Sequence, residues 1–189
     1  MPDRRTARFL ALLLVAGGAL VAVDRAEILE PVLAPVTGLT ASATLASLQA
    51  LGFDVQRHGT VIRELGGFSY DIGYRCTGVL PVAILAAAIV AWPARPRPKL
   101  YGIAIGIASL LVLNLARLVH LFAVGSATPQ QFGLWHDLIW QGLMVLAVLA
   151  LWFGWLGRFA GTAAAEFGPR PAATARRRRT LLPARAYSL

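Results

Sequence analysis

Apolar positions gather into four long runs, residues 9–23, 77–92, 100–124 and 138–156, separated by charged or proline-bearing stretches. At a rise of about 1.5 Å per residue each can cross a hydrocarbon core of about 30 Å as a helix, the first two with help from flanking residues. The run 9–23 also has the length of a signal-peptide core. The Asp24-Arg25-Ala26-Glu27 that follows makes a poor cleavage site, which favours a retained anchor.

Residues 24–76 follow another pattern. Pro31, Pro35 and Gly38 break their start, and Leu45, Leu48 and Leu51 then recur at helical spacing. This predicts a short helix over residues 40–51, lying on the membrane and stopped by Gly52. Alternation on both sides of His58-Gly59 predicts a hairpin, and residues 68–72 supply a third strand leading into Cys76. Such a sheet would rest over the outer ends of the helices, where it would shield what lies beneath or grip an extended substrate strand by its edge. The expected fold is an all-α membrane protein of about four transmembrane helices with a small extracytoplasmic helix and β-hairpin segment. Residues 1–157 form one domain and residues 158–189 a basic, disordered cytoplasmic tail.

Composition agrees with a membrane class: the chain of 189 residues is 57% hydrophobic and 14% charged, with a mean hydropathy of +0.64. The net charge of +9 does not indicate nucleic acid, because the basic residues flank the apolar runs. Arg4, Arg5 and Arg8 precede the first run; Arg95, Arg97 and Lys99 lie between the second and third; Arg158, Arg170, residues 176–179 and Arg185 follow the fourth. Residues 24–76 mix both signs and residues 125–135 carry no charge. Both termini are therefore expected in the cytoplasm, with residues 24–76 and 125–135 outside. The Arg-rich tail is expected to lie against the anionic lipid of the bilayer.

The single cysteine excludes an internal disulfide and a Cys-x-x-Cys redox pair. Its position carries more information. Cys76 opens the second run, Arg117 lies in the outer part of the third, and His136 opens the fourth. The orientation places a thiol, a guanidinium and an imidazole on one membrane face, the residue types of a cysteine-nucleophile site. An arginine within an apolar span costs at least about 2.5–3.5 kcal/mol and so faces a partner or a wet cavity, unless it snorkels to the interface. Asn114 and His120 lie three residues to either side of Arg117 on the same run; Asn114 is also suited to interhelical hydrogen bonding, and His120 is a rival base. Only His120 and His136 are placed to ligate a metal or haem and no ligand spacing is present, so neither metal nor cofactor is expected. Two other readings fit the same residues. One is a noncatalytic polytopic subunit with Cys76 incidental, the other a cysteine-dependent membrane acyltransferase.

Cys76-Thr77-Gly78 at the head of a span, Asn114 to Arg117 in the next and His136-Asp137 opening the last together resemble the exosortase/archaeosortase family. The resemblance covers roughly residues 40–157 and is nearest the short single-domain members, exosortase H among them. It implies a membrane cysteine transpeptidase or protease of the bacterial inner membrane, with its active site facing the periplasm. It carries the catalytic roles onto Cys76, Arg117 and His136, with Asn114 and Asp137 as orienting residues. The implied partners are proteins with a C-terminal sorting signal: a short motif, a membrane span and a basic cluster, as in PEP-CTERM proteins. Neither the oligomeric state nor the acceptor nucleophile follows from it.

Overall fold

The computed structural model describes residues 29–167, with side chains through Phe159, and isolated positions between residues 11 and 22. Most of the first expected span, residues 9–23, therefore falls outside the described residues, as do all of residues 168–189 of the expected tail. In chain order the elements are α1 (Leu29–Ala50), β1 (Val55–His58), β2 (Val61–Glu64), β3 (Ser69–Asp71), a 3-10 turn (Tyr74–Thr77), α2 (Val79–Ala91), α3 (Pro96–Ala127), a 3-10 turn (Pro129–Gln131), a π-helical turn (Leu134–Ile139) and α4 (Trp140–Phe167). Among the described residues, three stretches are long and apolar enough to cross a membrane: Glu30–Ala50, Pro96–Ala127 and Pro129–Phe159. The protein is an all-α membrane protein carrying one small sheet.

One expectation is overturned in the segment 24–76. Where a proline-broken start and a short surface helix were expected, a single 22-residue helix runs from Leu29 through Pro35 to Ala50. Pro31 falls in the first turn, where a missing N–H is harmless. The hydroxyls of this segment are spent internally. Thr37, Thr40, Ser42, Thr44 and Ser47 each donate to the carbonyl four residues back, at 2.8–3.0 Å. A hydroxyl satisfied in this way needs no water, so the helix is apolar in effect. Its face of Thr37, Ala41, Thr44 and Leu48 is buried, and those small side chains let α1 approach its neighbours closely.

Elsewhere the local rules hold. Gly52 takes φ +90° where α1 ends, and Gly59 takes φ +63° in the turn between β1 and β2. The sheet is antiparallel in the order β1-β2-β3, pairing His58 with Val61 and Ile62 with Tyr70. Its inner face contributes Val55, Ile62 and, just past β3, Ile72 to a core shared with Ala41 and Leu48 of α1 and Leu118 and Phe122 of α3. Two anchors fix the sheet to α3: Tyr70 donates its hydroxyl to the Leu118 carbonyl at 3.1 Å, and Phe68 packs at Gly125.

A second core lies toward the other end of α3, where Leu85 and Ile89 of α2, Leu110 of α3 and Met144 and Trp155 of α4 meet. Gly102 and Gly106 make room for it, because a Cβ at either would collide with Trp155, Ile89 or Leu85. Trp155 also donates its indole N–H to the Pro98 carbonyl at 2.9 Å. α4 continues to Phe167, so the expected tail begins inside a helix.

Candidate active site

The geometry around Cys76 follows from the shortness of α2. Its 13 residues cover only about 20 Å, less than a hydrocarbon core. α3 has 32 residues and extends well past the head of α2. The Cys76 turn therefore meets α3 part-way along it, at Asn114, while α3 runs on to carry the sheet. The thiol lies beneath that cap rather than at the outermost edge of the helices.

Gly78 makes this meeting possible. It takes φ +77° between the 3-10 turn and α2, and a Cβ there would stand 3.1 Å from the Asn114 side chain. The gap lets Asn114 Nδ2 donate to the Cys76 carbonyl at 2.8 Å. Thr77 closes the turn from within, donating its hydroxyl to the Tyr74 carbonyl at 2.6 Å. Asn114 and Arg117 are 1% and 7% exposed. Asn114 Oδ1 and Arg117 Nε are buried without hydrogen-bond partners, and no ion pair to Arg117 occurs among the described residues. An unsatisfied buried group costs about 1–3 kcal/mol, more when charged. Here two of them lie one helical turn apart on α3.

Asn114 and Arg117 also line a cavity of about 270 Å³ between α2, α3 and α4, which Cys76 itself does not line. Arg75, Asn114, Arg117 and Gln141 supply its polar side chains, and Leu80, Pro81, Ile84, Val145, Val148 and Leu149 are among its apolar ones. A larger cavity of about 960 Å³ lies between α3 and α4, bounded by Tyr101, Trp155 and Arg158, and holds none of the candidate residues.

A cationic neighbour by itself lowers a thiol pKa. Arg117 does act in that direction, but burial is the larger effect and pushes the Cys76 thiol up. Burial also pushes the neighbouring Tyr70 phenol up, which keeps it a proton donor to α3. Burial therefore favours the neutral thiol.

His136 lies on the π-helical turn, where the Trp140 N–H reaches the Trp135 carbonyl five residues back. Such turns recur at functional sites. Its Nδ1 lies 2.6 Å from Asp137 Oδ1. A carboxylate only accepts, so Nδ1 carries the proton and Nε2 is left free. The ring stacks on Phe132 at 5.6 Å, and Phe132 in turn packs on Phe68 of the cap. The fold thus joins Cys76, Asn114 and Arg117 into one cluster. It holds His136 and Asp137 as a second pair at the head of α4, with no hydrogen bond between the two groups among the described residues.

His120, the rival base, has another task. Its Nδ1 accepts from Trp140 Nε1 at 3.0 Å, and an indole N–H only donates, so His120 is neutral and carries its proton on Nε2. Its ring lies 4.6 Å from that of Trp135. This contact ties α3 to the start of α4. Sequence reasoning passed over Gln141, although it is a polar residue inside an apolar span, the signal that singled out Arg117. No sequence signal pointed to the Gly78–Asn114 approach.

A family model described as transmembrane exosortase matches residues 3–155. No curated protein and no solved structure matches the chain. The match spans every element of the site, and its breadth settles the family: this multi-pass membrane protein belongs to the transmembrane exosortases.

Proposed function

We propose that the chain is a membrane-embedded cysteine transpeptidase or protease that cleaves proteins bearing a C-terminal, PEP-CTERM-like sorting signal at the outer face of the inner membrane, through a thioester on Cys76. The observation that carries this reading is the cluster beside the cavity: a thiol turn pinned to α3 next to a buried arginine that no carboxylate among the described residues neutralises. The cavity continues from Arg117 between apolar walls, which suits a substrate tethered by its own membrane helix. That tether would raise the local concentration of the cleavage motif.

In this mechanism the Cys76 Sγ attacks the scissile carbonyl carbon as His136 Nε2 takes the thiol proton. Arg117 stays protonated and holds the oxyanion. The carbon–nitrogen bond breaks, His136 returns the proton to the leaving amine, and an acyl group remains on sulfur. An acceptor amine or water, deprotonated by His136, then attacks the thioester and Cys76 regains its proton. Asp137 orients His136 through Nδ1. In this reading the site faces the periplasm and the C-terminus the cytoplasm. The apolar walls would also take an acyl chain, and acyl adducts on Cys76 found by mass spectrometry would support the acyltransferase reading instead.

The test is a reporter carrying a C-terminal sorting signal from the same genome, co-expressed with wild type or Cys76→Ala. A size shift that depends on Cys76 is expected. Processing at the normal rate by a well-inserted Cys76→Ala protein would sink the thioester mechanism. Arg117→Lys is expected to be severely impaired, because an ammonium does not reproduce the guanidinium fork.

A further inference from the structure

Asn114 is a buried amide with one half committed and one half open. Its Nδ2 is engaged by the Cys76 carbonyl at 2.8 Å, which fixes the amide orientation, since a carbonyl cannot bond Oδ1. Oδ1 is consequently an unfilled acceptor. One turn further along α3, Arg117 Nε is an unfilled donor. Both side chains line the same cavity. An acceptor and a donor one helical turn apart on one face match a peptide edge, because one residue of an extended chain presents its own N–H and C=O on the same side.

We infer that Asn114 Oδ1 and Arg117 Nε together grip one residue of an extended substrate, Asn114 accepting its N–H and Arg117 donating to its carbonyl. This rests on the proposed peptide-cleaving function and adds a residue-level account of binding. Asn114 then has two duties. It positions the nucleophile turn through Nδ2, and it sets the register of the substrate chain through Oδ1. Both open atoms are closed to water in this state, so the substrate displaces a covering side chain as it enters. Met144 is 4% exposed and lines the cavity; its unbranched side chain suits that movement. The grip is sequence-independent, so it fixes where along the chain cleavage occurs and leaves the choice of side chains to the rest of the cavity.

The test uses the full-length protein in lipid nanodiscs with synthetic peptides spanning the bond cleaved in a processed reporter. Each backbone amide near that bond is replaced in turn by an ester, which removes a single N–H. Wild type is expected to lose roughly tenfold in kcat/KM, chiefly through KM, at the position whose N–H is gripped, and less at the next, where the ester weakens the carbonyl that Arg117 holds. Asn114→Ala is expected to lose a similar factor on the all-amide peptide and nothing further on the ester that removes the gripped N–H. Asn114→Asp keeps an acceptor oxygen, so it should remain sensitive to that ester even though its link to Cys76 is lost. If no ester position matters to wild type, or if Asn114→Ala is as ester-sensitive as wild type, the inference is wrong while the cysteine mechanism stands. If Cys76→Ala cleaves the peptides equally well, both fall together.

Discussion

Gly125 is where the cap and the membrane helices are fitted most tightly, and its replacement by alanine tests whether the cap governs the site. A Cβ at Gly125 would stand 2.7 Å from Phe68 Cε2 and closer still to two other ring atoms. Comfortable carbon–carbon contact is about 3.5–4.0 Å, so the ring must move by about 1 Å or more. It has little room, since the rings of Phe122, Phe132 and Tyr70 lie 5.5–6.0 Å from its centroid. Overpacking of this kind costs about 1–3 kcal/mol. Alanine returns up to about 1 kcal/mol in helix propensity, less near a helix end, which leaves a net destabilisation of about 1–2 kcal/mol. In a protein of this size that lowers Tm by roughly 2–8 °C. Gly142→Ala is the control, because a Cβ there meets nothing within 4 Å and only the propensity gain applies. Cys76 is the only cysteine, so alkylation by a maleimide reports on the site without background. Gly125→Ala should lower Tm and change the alkylation rate, whereas Gly142→Ala should do neither. Phe68→Leu shortens the colliding side chain and should absorb at least about 0.5 kcal/mol of the Gly125→Ala cost in a double-mutant cycle. A Gly125→Ala protein with wild-type Tm and alkylation rate, and strict additivity with Phe68→Leu, would refute the reasoning.

Three further outcomes are expected. The alkylation rate of Cys76 should rise with pH to a midpoint above the ordinary thiol value of about 8.5, since burial outweighs Arg117; Arg117→Gln removes the lowering influence, so the midpoint should move higher and the rate at pH 8 fall, and a downward move would contradict the assignment. Tyr70→Phe removes the hydrogen bond to the Leu118 carbonyl and should cost about 1 kcal/mol in thermal unfolding, with an unchanged Tm counting against this anchor. Gly78→Ala introduces a Cβ at φ +77° and 3.1 Å from Asn114, so it should cost roughly 1–3 kcal/mol and reduce Cys76-dependent processing more than Tyr70→Phe does; equal processing by the two variants would show that the turn does not position the nucleophile.

The hydrophobic pattern alone determined that the chain is a multi-pass membrane protein, because about twenty consecutive apolar residues admit few other solutions. It also placed the hairpin turn at His58-Gly59 and the third strand, since alternation and glycine punctuation are local signals. Local signals failed in residues 29–50, where Pro31, Pro35 and Gly38 read as a broken start before a short surface helix, although five hydroxyls there are satisfied within one long helix. Whether a threonine is polar depends on whether its own helix satisfies it, and that is settled only once the helix exists. The motifs around Cys76, Asn114, Arg117 and His136 were visible in the sequence, and so was the family. Their grouping was not. Asn114 meets Cys76 because a 13-residue helix ends beside a 32-residue one at a glycine with room for nothing larger. Burial then made the thiol harder to ionise than its charged neighbours alone would suggest. Depth, desolvation and unfilled hydrogen bonds are properties of packing between segments distant in sequence, and only the tertiary structure decides them.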